Sequence, residues 1–309
     1  FGSDGTGPVA ITGANVSITD ANLIDLGAST VSGTYAVTAV TDNITDSGTL
    51  AITGLATFTT SASNATITLD ETGSTFAAGV SLNTTGSSGN ATVDTGTNAL
   101  DIAASTIGGD LTVTSGNVSG ITDSGTVTVG GNLVATTDAS SGVITLDNLA
   151  VDGTFTLAPD SNGAVTIVND DGLTLAASTM GGTFSGTATA GNITQTGALA
   201  ITGATTLVTS AQAATIDLST ITTNGFTGEL LITTNDNDSP ADGEYVADVT
   251  IDGGTTNLII GTSNIDGALN LLSGGTITDT NSSTVTVLKN LSVTTDASNS
   301  AITLDGLAV

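Results

Sequence analysis

A long internal repeat, with a period of about 75 residues, constrains the fold of this chain more than any other feature of its sequence. The string ITDSG occurs at residues 44–48 and again at 121–125, and looser copies stand at 193–197 and 277–281. A fixed period of this kind indicates a repeat architecture, and it predicts four super-repeats, residues 1–75, 76–154, 155–225 and 226–309. Two further anchors recur at similar spacing: Ser29, Ser105, Ser178 and Ser263, and the aromatic residues Phe1, Phe76, Phe155 and Phe226.

Each super-repeat contains shorter segments in which apolar pairs of the type V-x-I or L-x-I are separated by Gly, Asn, Asp or Ser. Alternating apolar residues are typical of strands that face a core on one side, and the small polar residues favour tight corners. The pairs group in threes, with about 25 residues to a group. The pattern predicts an all-β fold, a parallel β-helix (β-solenoid) of about twelve coils with three short strands each. A β-sandwich is the alternative, but it gives no reason for triplets of fixed length.

The predicted inward positions exchange similar residues between super-repeats, as a stacked core requires. One such position holds Val31, Ile107, Met180 and Ile265, and another holds Tyr35, Leu111, Phe184 and Leu269.

The charge composition excludes several classes of function. The 309 residues include 29 Asp and Glu, one Lys and no His or Cys, and the formal net charge is −28. A Cys/His zinc site and a His- or Cys-based nucleophile are therefore excluded. Nucleic acid is not expected as a partner, because binding to phosphates needs many cationic side chains. Hydrophobic residues make up 38%, too many for a disordered acidic chain. No apolar run is long enough for a transmembrane helix, so no membrane insertion is expected.

Catalysis is not expected either, and no cofactor is expected to be required. A β-helix that cleaves polysaccharides with paired carboxylates is the distant alternative. Such sites also use aromatic or cationic side chains to hold the sugar, and aromatic residues are only 3% of this chain.

A column of carboxylates is the first candidate site. One acid follows the middle strand of nearly every predicted coil, so neighbouring carboxylates would stand roughly 5 Å apart and repel one another. Two interpretations stay open: each Asp caps its own turn through backbone N–H groups, or Ca²⁺ bridges the oxygens. Asp46, Asp70 and Asp94 are the candidate Ca²⁺ ligands. The whole column reads Asp20, Asp46, Asp70, Asp94, Asp123, Asp147, Asp170, Gln195, Asp217, Asp252, Asp279 and Asp305.

An acidic loop predicted at residues 233–244 is the second candidate site. It lengthens its coil by about ten residues, includes Pro240, and should protrude from the solenoid. Carboxylates at alternate positions are how loops collect oxygen ligands for Ca²⁺, although an exposed acidic loop without metal is an equal alternative. The candidate ligands are Asp236, Asp238, Asp242 and Glu244.

The repeat phrases resemble those of a known family. Residues 13–40, 44–70 and 193–207 are similar to the repeat tracts of very large bacterial secreted exoproteins, the filamentous-haemagglutinin-like or β-strand-repeat surface proteins. The resemblance covers essentially the whole chain. It implies a right-handed parallel β-helix, export to the cell surface, and a role as the shaft of an adhesin or fibre.

Two non-enzymatic functions follow as expectations. The first is an extracellular structural or adhesive segment of a cell-surface fibre or giant adhesin, with cell-surface glycans or other cells as further partners. The second is a filament or surface-layer subunit that stacks end to end, with or without Ca²⁺. Phe1 and Val309 stand in core-type positions, so the expected partners at the ends are further repeats of the same protein or other copies of it.

Overall fold

A computed structural model describes residues 7–236, 245–280, 282–297 and 300–309. Every regular element within these ranges is a β-strand, and every strand pairing described below is parallel. The predicted all-β solenoid fold is therefore confirmed. The described part of the chain contains no helix that could span a membrane. The chain forms two compact units, Phe1–Gly153 and Thr154–Val309, which we call unit 1 and unit 2.

Unit 1 contains nineteen strands, and strands about one coil apart in the sequence pair with one another. The order β3-β6-β9-β12-β15-β18 forms one face. A second face has the order β2-β5-β8-β11, and a third β1-β4-β7-β10. The strands are β1 Thr12–Gly13, β2 Val16–Asp20, β3 Ile24–Leu26, β4 Ser29–Val31, β5 Tyr35–Ala39, β6 Ile44–Asp46, β7 Leu50–Ile52, β8 Ala56–Ser63, β9 Ile67–Leu69, β10 Thr75–Phe76, β11 Val80–Thr85, β12 Ala91–Asp94, β13 Leu100–Ile102, β14 Ser105–Ile107, β15 Leu111–Ser115, β16 Ile121–Asp123, β17 Val127–Val129, β18 Leu133–Thr137 and β19 Ile144–Val151.

Unit 2 contains twenty described strands in a similar arrangement. One face has the order β20-β22-β25-β28-β31-β34-β37, and β21-β24-β27-β30 and β23-β26-β29 form two further faces. The strands are β20 Thr154–Pro159, β21 Val165–Asn169, β22 Leu173–Leu175, β23 Ser178–Met180, β24 Phe184–Ala188, β25 Ile193–Gln195, β26 Leu199–Ile201, β27 Thr205–Gln212, β28 Ile216–Leu218, β29 Gly225–Phe226, β30 Glu229–Asn235, β31 Val249–Asp252, β32 Leu258–Ile260, β33 Ser263–Ile265, β34 Leu269–Ser273, β35 Ile277–Asp279, β36 Val285–Val287, β37 Leu291–Thr295, β38 Ile302–Thr303 and β39 Leu307–Ala308.

Strict alternation of side chains produces the core of each unit. In β5 the first, third and fifth residues are buried and the two between them are partly exposed, and β15, β24 and β34 repeat this pattern. The two sets of inward positions predicted from the sequence are fully buried, which confirms them. In unit 1 the rings of Tyr35, Phe58 and Phe76 also meet edge to face, with centroids 5.9 and 6.2 Å apart.

The described strands form about thirteen turns, because thirty-nine strands are present at three to a coil. The sequence predicted about twelve coils, each slightly longer than those observed. Contacts between successive coils give the observed lengths: Asp110 bonds to Asn90, 20 residues earlier, and Thr66 bonds to Asn43, 23 residues earlier. Shorter coils account for the additional turn.

The super-repeat seen in the sequence does not return to the same face of the solenoid. In unit 2, Phe155 lies in β20 opposite Leu175, whereas Phe226 lies in β29 opposite Ile201, on a different face. Both rings are buried. The regular spacing of Phe1, Phe76, Phe155 and Phe226 in the sequence predicts that these residues form one inward column, and this prediction is wrong for Phe155 and Phe226. Phe1 lies outside the described residues. The division into four super-repeats within a single solenoid stays a prediction.

The serines of the second sequence anchor each stand first in a short strand and bond to backbone groups there. Ser29 Oγ accepts the N–H of Ile11 at 3.0 Å and donates to the carbonyl of Gly27 at 2.9 Å. Ser105, Ser178 and Ser263 make the same pair of contacts in their own coils. A buried backbone N–H is costly without an acceptor, and this requirement explains why a short hydroxyl recurs here.

Candidate functional site: polar residues at the coil corners

Asp46 is buried, whereas Asp70 is exposed and Asp94 is partly exposed. Asp46 ends β6 opposite Leu26, in a position that is apolar in the coils on either side, and only 8% of its surface is exposed. Asp70 directly follows Leu69, and Asp94 directly follows Val93. Leu69 and Val93 are opposite each other in the pairing of β9 with β12. Asp70 and Asp94 therefore stand beside one another in neighbouring coils. Each comes one residue after the inward position that Asp46 occupies in its own coil.

The Asp46 carboxylate closes the start of the next corner. Its Oδ1 accepts the N–H of Asp70 at 3.0 Å and, more weakly, that of Glu71 at 3.4 Å. Its Oδ2 is buried and has no hydrogen-bond partner among the described residues. Burial raises the pKa of Asp46 to about 6, and the negative charges of Asp70 and Glu71 act in the same direction.

Each super-repeat places a polar residue at the end of the corresponding strand. Asp123 lies opposite Ile102, and its two oxygens accept the N–H groups of Asp147 at 3.0 Å and Asn148 at 2.9 Å. Burial also raises the pKa of Asp123. Asp279 lies opposite Ile260 and accepts the N–H of Gly306 at 2.7 Å. The recurring ITD strand therefore supplies an acceptor to the following coil.

Gln195 performs this role in unit 2 without a charge. It lies opposite Leu175 and forms a reciprocal amide pair with buried Asn224, with Nε2 to Oδ1 at 3.1 Å and Nδ2 to Oε1 at 3.0 Å. Asn224 Oδ1 also accepts the N–H of Leu199 at 3.0 Å, and its Nδ2 lies within reach of the carbonyls of Leu218, Ile221 and Asp252. The pair joins adjacent coils of unit 2 through neutral groups alone.

Four of the remaining carboxylates of the column, Asp20, Asp94, Asp217 and Asp252, cap their own turns. Asp20 accepts the N–H of Asn22, Asp94 that of Gly96, and Asp252 that of Gly254, at 3.0, 2.7 and 2.7 Å. Asp20 lies in β2 opposite Ala39, on another face from Asp46. The prediction of one column along one corner is therefore wrong. The alternation of side chains in the sequence already distinguishes these acids. Asp46 stands two residues after the inward residue Ile44 and so faces inward, whereas Asp94 directly follows an inward residue and so faces outward.

The second candidate site is described only at its base. Thr233, Thr234 and Asn235 belong to β30, so the predicted loop begins later than expected, because strand pairing continues to Asn235. Asp236 is 3% exposed, and its Oδ2 accepts the N–H of Val246 at 2.6 Å. Asp238, Asp242 and Glu244 lie outside the described residues.

Metal binding by the predicted ligands stays a prediction. Within residues 7–236, 245–280, 282–297 and 300–309, no group of three or more acids is placed to hold a metal ion. The structure does not bring Asp46, Asp70 and Asp94 together as such a group.

A ladder of Asn and Asp side chains at one corner was not identified from the sequence. In unit 1, Asn90 Oδ1 accepts the N–H of Asp110 at 2.9 Å, and Asp110 Oδ1 accepts the N–H of Asn132 at 2.7 Å. Asn43 similarly accepts the N–H of Thr66 at 2.7 Å. This ladder could have been predicted from an Asn or Asp that stands immediately before an inward apolar residue, as in Asn43-Ile44 and Asp110-Leu111.

The fold and its corner contacts define a β-solenoid repeat protein in which polar side chains connect successive coils. The model of one family, described as "Repeats of unknown function (DUF5649)", matches residues 13–83, 88–158 and 162–233. These matches cover more than half of the chain, and the chain belongs to this family. No curated protein and no solved structure matches the chain.

Proposed function

We propose that this chain is a non-enzymatic, extracellular structural segment of a bacterial cell-surface fibre or giant adhesin. The observation that carries the proposal is the parallel register of the described strands within each unit, in which successive coils pair through backbone hydrogen bonds. Proteins built in this way span distance with short-range contacts alone. The similarity of the repeat phrases to filamentous-haemagglutinin-like exoproteins supports the extracellular location and the adhesive role toward cell-surface glycans or other cells.

The use of the polar groups supports a structural rather than a catalytic role. The buried carboxylates Asp46, Asp236 and Asp252 all accept backbone N–H groups. A general acid or base needs a carboxyl group that can reach a substrate. These three side chains instead hold corners closed.

The location can be tested on intact cells of the source organism. Antibodies raised against the chain should label intact cells, with gold particles on surface fibres in electron micrographs. Permeabilised cells provide the control for total antigen. Labelling that appears only after permeabilisation would contradict the proposal.

A second candidate function, a filament or surface-layer subunit, is favoured by the last two strands. Ile302 and Leu307 pair with buried Ile277 and Val285, yet they are 46% and 38% exposed. Further repeats or another copy of the chain would cover them. Sedimentation velocity of the purified chain over a concentration series should then show growing oligomers, and Ile302→Asp with Leu307→Asp should abolish them. A monomer at all concentrations, with and without Ca²⁺, would exclude this candidate.

A further inference from the structure

Two asparagines at equivalent corners of the units each begin an Asn-x-Thr triplet. Asn43 and Asn192 lie 149 residues apart, and each stands immediately before a buried isoleucine and two residues before a threonine. Because successive side chains of a strand point to opposite faces, the asparagine and the threonine share the outer face of the strand. A triplet of this type is the acceptor sequence for the attachment of a sugar to an asparagine amide.

The orientation of both amide groups follows from their hydrogen bonds. Asn43 Oδ1 accepts the N–H of Thr66 at 2.7 Å, and Asn192 Oδ1 accepts the N–H of Thr215 at 2.8 Å. A backbone N–H can bond only to the oxygen of the amide, so the oxygen faces the next coil and Nδ2 lies on the other side. No described residue accepts a hydrogen bond from Nδ2 of either side chain.

The same arrangement occurs at Asn15 and Asn90, which also begin such triplets. Their Oδ1 atoms accept the N–H groups of Thr34 and Asp110 at 3.0 and 2.9 Å. A Cβ atom at Gly33 would lie 2.1 Å from Asn15 Oδ1, and one at Gly109 would lie 2.2 Å from Asn90 Oδ1. The oxygen side of each amide is therefore packed against the next coil, and the nitrogen side is left for another group.

The contact between coils does not itself require an amide. Asp110 accepts the N–H of Asn132 at 2.7 Å, and Asp248 accepts that of Ala268 at 2.7 Å, so an aspartate makes the same hydrogen bond. A substituent on Nδ2 would leave Oδ1 in place as the acceptor. These corners therefore provide a nitrogen that the fold does not use, and a group attached to it leaves the contact intact.

We propose that Asn43 and Asn192, together with Asn15 and Asn90, are N-glycosylation sites of the folded chain. This proposal rests on the extracellular location proposed above. The donor is a sugar whose anomeric carbon carries a phosphate leaving group, and the catalyst is a glycosyltransferase of the source cell. The bond from Nδ2 to the anomeric carbon forms as the bond from that carbon to the phosphate oxygen breaks. The phosphate takes the electron pair, and Nδ2 gives a proton to a base of the transferase.

The spacing of the sites leaves room for the sugars. Backbone hydrogen bonds from Ile44 to Thr66 and from Ile67 to Asn90 place Asn43, Thr66 and Asn90 at the same corner of three successive coils. Asn43 and Asn90 are therefore two coils apart, or about 10 Å, rather than the roughly 5 Å that separates adjacent coils. Thr66, in the coil between them, has no amide nitrogen that could carry a sugar.

Two further triplets provide internal controls, because their amide nitrogens are engaged in the fold. Asn83 Nδ2 donates to Ser81 Oγ at 3.3 Å, and Asn117 Nδ2 donates to the carbonyl of Thr97 at 2.9 Å. Both asparagines begin an Asn-x-Ser/Thr triplet, as Asn43 does. Attachment of a sugar to the folded chain should therefore pass over Asn83 and Asn117.

Mass spectrometry of peptides from the chain, purified from the surface fraction of its source cells, tests the proposal. Peptides that contain Asn43 and Asn192 should carry a sugar, and those that contain Asn83 and Asn117 should not. An addition of one sugar or of a longer oligosaccharide shows which kind of donor is used. A surface-exposed chain without sugar at Asn43 and Asn192, or with equal occupancy at Asn117, would overturn the proposal. A chain that is absent from the surface would instead contradict the proposed function.

Variants separate the triplet from the fold. Asn43→Asp keeps an acceptor for Thr66 and removes Nδ2, and Thr45→Val keeps the branched shape and removes the hydroxyl. Both should reduce occupancy at residue 43 to background and leave that of Asn192 unchanged, with melting curves as the check on folding. Retention of the sugar in Thr45→Val would show that the triplet does not direct the modification.

A gain of modification is expected at a corner that lacks only the hydroxyl. Asn257 Oδ1 accepts the N–H of Thr276 at 2.9 Å, but the residue two positions later is Ile259, which is partly exposed. Ile259→Thr completes the triplet and should add a sugar at Asn257, whereas Ile259→Val is the control without a hydroxyl. A folded Ile259→Thr variant that stays unmodified while Asn43 carries its sugar would contradict the rule proposed for these corners.

Discussion

Units 1 and 2 use different chemistry at equivalent corners of the same kind of coil. Gln195 follows Asp46 by 149 residues and Asn224 follows Ser74 by 150, and both members of each pair occupy the same place in their coils. In unit 1 the acid leaves one buried oxygen without a partner, and Ser74 caps Leu50 separately at 3.0 Å. In unit 2 the two amides satisfy each other and Leu199. The comparison shows that the position requires hydrogen bonds to the next coil, whereas charge is optional.

The two units make the same contacts at their serine anchors. Ser29 and Ser178, also 149 residues apart, accept one N–H and donate to one carbonyl with nearly identical distances. Phe76 and Phe226 are likewise equivalent and buried. The units therefore correspond over a repeat of about 150 residues, twice the period that the short motifs display.

The largest difference between the units is expected at Asn224. Asn224→Ala should destabilise unit 2 by about 3 to 5 kcal/mol, because it leaves Gln195 Oε1 and the N–H of Leu199 buried without partners and removes one of the two acceptors of Gln195 Nε2. Ser74→Ala should cost unit 1 only about 1 to 2 kcal/mol, since it removes one acceptor. Hydrogen exchange at the two corners measures both, because an array of repeats need not unfold in one step. Equal losses would contradict the difference inferred between the corners.

Matched losses are expected at the serine anchors. Ser29→Ala and Ser178→Ala should each destabilise their own unit by about 1 to 2 kcal/mol, because each leaves one buried N–H without an acceptor. Denaturant titration monitored by exchange of the Ile11 and Leu157 amides provides the measurement. Ser→Thr at the same positions retains the hydroxyl and is the control. A loss confined to one unit would show that the anchors are not equivalent.

The corner chemistry of unit 2 should be transferable to unit 1. Asp46→Gln combined with Ser74→Asn should stabilise unit 1 by about 1 to 3 kcal/mol at pH 7, because it replaces a buried carboxylate with a neutral amide pair. The gain should vanish below about pH 4, where Asp46 becomes protonated in both folded and unfolded states. Thermal melts on both sides of this transition, for the double variant and for each single variant, check this. A gain of the same size in acid would mean that charge is not its cause.

The smallest effect is expected at a hydroxyl that occurs only in unit 2. Thr205 Oγ1 is buried without a hydrogen-bond partner, and the equivalent residue of unit 1 is Ala56. Thr205→Val keeps the shape and removes the unsatisfied hydroxyl, so it should stabilise unit 2 by about 1 kcal/mol. The reverse change in unit 1, Ala56→Thr, should destabilise it. Melting curves of both variants suffice, and a loss of stability in Thr205→Val would reveal a hydrogen bond that the structure does not contain.

The class of fold and much of the core could be predicted from the amino-acid sequence alone. Alternation with a period of two residues indicates strands with one buried face, and recurrence of the same inward residues indicates stacking. This local information was enough to place Val31, Tyr35 and their counterparts inside. It was also enough to identify turn capping as one of two roles for Asp94 and Asp252.

The sequence did not predict which residues stand beside one another in successive coils, because this depends on the register between the coils. Coils of different length occur in the same unit, so a fixed count along the chain loses the register after a few turns. A displacement of one residue moves a side chain from the outside of a strand to the inside. For this reason Asp46 and Asp70, which look alike in the sequence, have opposite environments. The pairing of Gln195 with Asn224, 29 residues apart, depends on the same register, because it joins side chains from two different coils.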